Sequence, residues 1–352
     1  MRKTSSFVLI LLICSVWVAF LKIDAVEAEA KMIVVPDDFA SIQEAIDSAL
    51  DGDTVYVKSG EYHENVQVNK PIFLIGENVD TTIIDGNPPE GFRIPITVGS
   101  DNVSVSGFKI LYGHNGIGVG EVKFCSISGN RIAGGTHGIV LVSSSYCNVT
   151  KNYFESIGLS SAIQLSYANN NLVSGNYITS CTEGIQIWLG SNNNTVTENT
   201  ITACKNTAIG FQYSNDNILS RNDISYSGVG TSIYVSNNNT IFQNNYINNA
   251  KQFASDSNES YAMSWGYNVS VNIINSNYWS NYNGTDNNED GIGDIPYIIN
   301  DVNKDTSPIL EPVIVQIIPE FPSWTILPLV LIATLFAVVF KKRLVHIRHY
   351  SA

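Results

Sequence analysis

A phrase that returns every 22 to 24 residues constrains this chain more than any other feature. It is plainest in NTVTENTI from Asn194 and NILSRNDI from Asn217. Taking the second asparagine of each phrase as an anchor gives Asn130, Asn152, Asn176, Asn199, Asn222 and Asn244. Three residues before each anchor stand Ile127, Val149, Val173, Val196, Leu219 and Ile241. Two residues after stand Ile132, Phe154, Ile178, Ile201, Ile224 and Tyr246. Five before stand Cys125, Cys147, Asn171, Asn194, Asn217 and Asn239. Columns that keep their chemistry mark a structural period. It is too short for a helical hairpin of about 34 residues and suits one coil of a parallel β-solenoid. The alternation in TVTENTI supports strands. A second strand is predicted from Ile139, Ile163, Ile185, Ile209 and Ile233, each after a small residue (Gly138, Ala162, Gly184, Ala208, Ser232). Coils stacked about 4.8 Å apart bring equal columns together. Asparagine side chains can then hydrogen-bond up the stack, with asparagine expected to accommodate the corner. A leucine-rich repeat is the rival architecture and lacks its leucine consensus.

An open solenoid must cover its ends. SIQEAIDSALDG (Ser41–Gly52) predicts a helical lid with a capping box from Ser41 to Glu44. Its apolar face is Ile42, Ala45, Ile46, Ala49 and Leu50, and Gly52 is placed to end it. The domain reading is a signal peptide over 1–30, a cap and first coils over 31–100, and regular repeats over 101–250. A C-terminal end over 251–310, a linker over 311–323, a transmembrane helix over 324–340 and a basic cytoplasmic tail over 341–352 complete it.

The signal reading rests on Arg2 and Lys3, an apolar core from Phe7 to Phe20, and A-x-A sites in AVEAEA. The anchor reading rests on the apolar Trp324–Phe340 followed by Lys341, Lys342 and Arg343. The chain between them is expected at the cell surface. The preceding PEFPSW resembles the Pro-Glu-Phe motif of archaeal sorting tails, which implies a membrane sorting enzyme as a partner. In an exported chain the sequons at Asn102, Asn148, Asn193, Asn238, Asn258, Asn268 and Asn283 are candidate glycan acceptors. A net charge of −13 repels phosphate backbones, so no nucleic-acid partner is expected.

The stretch Val35–Glu77 resembles the opening of right-handed parallel β-helix surface proteins related to NosD, within the pectin-lyase-like group. NYWSNYNGTDNNEDGIGDIPYIIN (Asn277–Asn300) is similar to an ending common there. The resemblance covers roughly residues 31 to 310 and implies an all-β, single-stranded right-handed β-helix. Its named member implies copper handling. Copper needs imidazole or sulfur donors close together. His114 and His137, on adjoining coils just before equivalent strands, are the candidate ligands. The alternative is turn histidines with local hydrogen bonds.

Other constellations come from the residues themselves. Cys125 with Cys147, and Cys181 with Cys204, share columns on adjacent coils, so two disulfides are expected in an exported protein. Stacked reduced thiols are the alternative. Asp286, Asn288, Asp290 and Asp294 sit at the first, third, fifth and ninth places of an EF-type calcium loop, although Tyr297 stands where the bidentate glutamate belongs. No carboxylate pair suggests glycoside hydrolysis. Glu198 and Arg221 read as an exposed ion pair. Gln164, Gln186, Trp188, Gln212 and Tyr234 are expected to point outward between inward Ile163, Leu165, Ile185, Ile187, Ile209, Phe211, Ile233 and Val235. Aromatic rings beside amides suit a sugar. The expected role is therefore a non-catalytic surface scaffold that binds glycans or envelope proteins. Copper handling is the second reading, and a polysaccharide lyase or hydrolase is the third.

Overall fold

The computed structural model describes residues 29–86, 94–255 and 270–315. The signal segment, the sequons Asn258 and Asn268, and the apolar segment 324–340 with its basic tail lie outside these residues. From Met32 on, the described residues form a right-handed parallel β-helix with three sheets of 13, 9 and 10 strands. Each coil from Ser104 to Tyr234 contributes a three-residue strand, a corner, a second three-residue strand, a short loop and a six-residue strand. One coil runs Thr195–Thr197, Thr200–Thr202, Thr207–Gln212. We call the sheets first, second and third in that order.

The short first strands alternate, and only their middle residue is inward. Ile127, Val149, Val173, Val196, Leu219 and Ile241 are therefore fully buried, each in register with the next. The same holds for Ile132, Phe154, Ile178, Ile201, Ile224 and Tyr246 in the second sheet. Close packing explains the small residue before each third-sheet isoleucine. A Cβ added at Gly138 would lie 2.7 Å from the Phe154 ring, so the position admits almost nothing. One alignment needs correction. Thr231, and not Ile233, pairs with Ile209, and Gly230 supplies the small residue. Val235 lies beyond the strand in a left-handed corner conformation and is not inward.

The asparagine ladder forms as expected. Nδ2 of Asn130, Asn152, Asn176, Asn199, Asn222 and Asn244 donates to Oδ1 of the next rung at 2.9–3.1 Å, the last reaching Asn277. Each Oδ1 from Asn152 onward also accepts the preceding rung's backbone N–H. Asp305 ends the column, its Oδ2 accepting from Asn277 Nδ2. A second ladder runs Asn171, Asn194, Asn217, Asn239, Asn272. The corner itself is turned by a different residue from the one expected. The left-handed residue is the one before the anchor: Gly129, Lys151, Gly175, Glu198, Arg221 and Gln243. The asparagine holds the corner by hydrogen bonds while its predecessor bends.

The helical lid spans Ile42–Ser48 and buries Ile42, Ala45 and Ile46. Ser41 Oγ accepts from Glu44 N as the capping box requires, but Glu64 completes the cap by accepting from Ile42 N and Gln43 N. Leu50 is exposed, off the predicted face. The helix ends before Gly52, with Lys70 Nζ donating to the carbonyls of Ile46, Asp47 and Ala49. At the far end Tyr246, Trp279 and Tyr297 stack with centroids 4.4 and 4.2 Å apart, and Trp279 Nε1 donates to Asp305 Oδ2.

Candidate functional site

The outer face of the third sheet carries the least repetitive columns. One runs Gly120, Val142, Ser166, Trp188, Gln212, Tyr234. Its neighbour runs Gly118, Val140, Gln164, Gln186, Gly210, Ser232. Trp188 and Tyr234 thus share a column two strands apart, with Gln212 between them, all half-buried. Gln164 is half-buried and donates to Ser166 Oγ at 3.0 Å.

Gln186 departs from expectation, because it is 5% exposed. Its amide lies over Gly210, where an added Cβ would meet Gln186 Oε1 at 2.1 Å. That oxygen accepts from Trp188 Nε1 at 3.1 Å. Gln186 therefore fixes the indole and does not itself face solvent. The corner beyond the strand adds aromatic surface that the outward alternation did not single out. Tyr167 is well exposed, and Tyr213 meets Tyr234 edge to face at 5.6 Å. Left-handed corner residues fall outside strand alternation, so only the coil alignment could have placed them.

At the opening end of this sheet, Asn115 pairs with His137 and Ser161 pairs with Glu183. The coil step here is 24 residues, between Asn152 and Asn176, against 22 or 23 for the other steps from Asn130 to Asn244. Ser160 N bonds Thr136 O while Ile139 pairs with Ile163, which leaves one extra residue opposite His137. Burial first, then neighbouring His114, hold the His137 pKa below the ordinary imidazole value. Burial alone raises that of Glu183 above the usual carboxylate range. The column HGI, SAI, EGI, TAI was legible in the sequence, yet its first residues were not treated as a set.

The His114 and His137 rings meet edge to face at 5.6 Å, so the expected neighbours are neighbours. No third histidine, cysteine or carboxylate donor converges on them among the described residues. A separate donor set converges elsewhere, Glu61, His63 and Asp85 beside the second-sheet strands Gly60–Tyr62 and Thr82–Asp85, all partly or well exposed. The two imidazoles alone fall short of the square-planar or tetragonal donor set that copper(II) favours. The carboxylates of the acidic loop close it on itself. Asp286 accepts from Asp290 N and Gly291 N, Asp290 from Ile292 N, and Asp294 from Asn287 N, while Asn288 donates to Asp290.

Cys125, Cys147, Cys181 and Cys204 are buried and stand as free thiols in this structure. Each of Cys125, Cys147 and Cys181 instead donates to backbone carbonyls. Burial pushes the Cys181 and Cys204 pKa up to about 11 and about 12, and hydrogen bonding to Cys147 raises that of Cys125. Thiols so held are poor nucleophiles. Elsewhere, Glu155 pairs with Arg131 at 3.0 Å and Glu198 with Arg221 at 3.7 Å, as surface ion pairs. The sequons Asn102, Asn148, Asn193, Asn238 and Asn283 are exposed.

Comparison with known proteins adds a family, one sequence relative and two structural likenesses. A stretch of 129 residues, 36% of this chain, is 36% identical to a cell surface glycoprotein of Methanothermus fervidus, of which it spans 20%. The fold is similar to PfbA, a surface adhesin of Streptococcus pneumoniae, with TM-score 0.56, 15% identity, 72% of this chain and 77% of that one. A weaker likeness is to the mannuronan C-5 epimerase A-module of Azotobacter vinelandii, with TM-score 0.46, 14% identity, 68% of this chain and 84% of that one. Residues 46–284 match the family described as periplasmic copper-binding protein (NosD), and with more than half of its length matched the chain belongs to that family.

Proposed function

We propose that this chain is a non-catalytic, membrane-tethered cell-surface scaffold that binds glycan along the outer face of its third sheet. One observation carries the reading: Trp188 and Tyr234 stand in one column two strands apart, and the indole is fixed by a buried Gln186. A held ring offers its face to the apolar side of a sugar without an ordering cost on binding. The surface relatives agree with the location, each as a statement about itself. The test is retention of the full-length chain on a glycan array, compared with Trp188→Ala and Tyr234→Ala. Loss of retention in both variants is expected. Unchanged retention would overturn the reading.

Copper handling is the second reading, supported by the family's description and the contact between His114 and His137. Calorimetric copper titration tests it: saturable binding of one ion per chain, lost in the His114→Ala/His137→Ala double variant, would favour it over glycan binding.

A further inference from the structure

On the described coils Asp37 pairs with Lys58, Glu155 with Arg131 and Glu198 with Arg221. Glu61 and Asp85 converge on an imidazole instead. Parallel stacking brings the three residues together. Glu61 and Tyr62 pair with Ile83 and Ile84 on the next coil, so one step further His63 meets Asp85. Ile84 is fully buried and Tyr62 packs against the core. Glu61 and His63, on either side of Tyr62, therefore point outward together with Asp85. One donor atom from each of the three lies within 4.8 Å of the others. His63 Nε2 stands 3.7 Å from Glu61 Oε1, and His63 Nδ1 stands 3.8 Å from Asp85 Oδ2. Both distances are beyond hydrogen-bond reach. The donors are also open to solutes. The side chains of Glu61 and His63 are 57% and 67% exposed, while Asp85, 16% exposed, is packed in place.

We infer that Glu61, His63 and Asp85 form a site for one divalent ion of the zinc class, bridging the first two strands of the second sheet. The inference is independent of the glycan reading. Zinc takes imidazole nitrogen and carboxylate oxygen at about 2.0–2.2 Å, which puts the ligands of a tetrahedral ion about 3.4 Å apart. Donor atoms already within 4.8 Å need only small rotations of the two exposed side chains to reach that spacing. Three protein donors leave the fourth position open to water. The two carboxylates match the ion's double charge, and a neutral imidazole completes the set. Calcium and magnesium favour all-oxygen shells, so the imidazole selects against both. Copper(I) favours sulfur, and no cysteine or methionine is among these donors. Copper(II) binds more tightly than zinc at most nitrogen and oxygen sites. The residues that hold each ion, and not the rank of affinities, therefore separate this site from the His114–His137 pair.

The experiment titrates the chelator-stripped full-length chain with zinc by calorimetry. Wild type, His63→Ala, Asp85→Asn, Glu61→Gln and the His114→Ala/His137→Ala double variant are compared. One saturable zinc ion per chain is expected in wild type and in the double variant. His63→Ala and Asp85→Asn are each expected to weaken it by about a hundredfold, and Glu61→Gln by about tenfold. Affinity should fall as the pH is lowered, because protons compete for the same donors. Zinc should raise the unfolding midpoint of wild type and leave that of His63→Ala unchanged. Glu61 and His63 face solvent, so their variants should keep the zinc-free midpoint, which separates a lost ligand from a lost fold. No saturable zinc binding in wild type would overturn the inference. So would binding undiminished in His63→Ala, or binding lost in the His114→Ala/His137→Ala variant. Displacement of zinc by equimolar calcium would overturn the ion class.

Discussion

The anchor corner of each coil and the outer face of the third sheet arise from the same repeat, yet they behave as opposites. At the corner seven successive coils, from Asn130 to Asn277, supply the same asparagine, and the amides bond one another and the backbone. On the outer face one column passes from valine through serine, tryptophan and glutamine to tyrosine within five coils. Ser161 Oγ, fully buried and without a hydrogen-bond partner among the described residues, lies on this variable face and not at the corner. Repetition shows where coils must fit one another. Its loss shows where the chain is free to fit something else.

Four changes would break or sharpen that contrast. The largest effect is expected at the corner. Asn199→Ala removes the rung's bonds to Val173 O, Thr197 O and Asn222 and orphans Asn176 N, so a loss of about 3 kcal/mol or more is expected in denaturant unfolding. A loss below about 1 kcal/mol would mean that the ladder is ornamental. On the outer face, Gly210→Ala drives a methyl into Gln186 Oε1 and should release the indole of Trp188. Tryptophan fluorescence should report a more solvated ring, and destabilisation of about 1–3 kcal/mol should accompany it.

Glu183→Gln acts through pH. The folded carboxyl has its pKa raised by burial, so the folded state holds its proton to higher pH than the unfolded chain does. Wild-type stability therefore falls as pH rises above about 4.3 through the raised value, and the amide variant should lose that slope. A slope identical in both proteins would contradict the burial argument. The smallest effect should come from Cys147→Asn. Cys147 N already bonds Asn171 Oδ1, and the new amide would extend the second ladder by one rung, keeping stability within about 0.5 kcal/mol of wild type. Quantifying thiols after unfolding without reductant adds a check on the same column. Cys125, Cys147, Cys181 and Cys204 should all alkylate, and fewer would restore the disulfide expectation.

Interior columns were legible in the sequence because parallel stacking makes each inward residue its neighbour's template. The lid was legible too, through its capping serine and apolar spacing. What escaped were features that depend on how side chains lie and not on where they fall. Gln186 alternates outward yet folds down over Gly210, which no period reveals. Cysteine stacking was legible as a shared column, and the Cys125 and Cys147 thiols lie in hydrogen-bond contact. Residues 229–234 slipped by two because Ile233 matched the isoleucine column better than Thr231 did, and only pairing with Ile209 resolves the choice.

The Asn244 rung has a further consequence. Its partner Asn277 is 33 residues on, against 22 to 24 elsewhere, and their amides still meet at 3.0 Å. The extra chain enters between Ser255 and Ser270, after a third-sheet strand, and the stack closes on either side of it. Such a fold counts rungs and leaves the tally of residues open. Surface loops of new content can be grafted after any third-sheet strand, and whole coils can be added or removed. Either change lets this surface lengthen or diversify while each amide still finds the next.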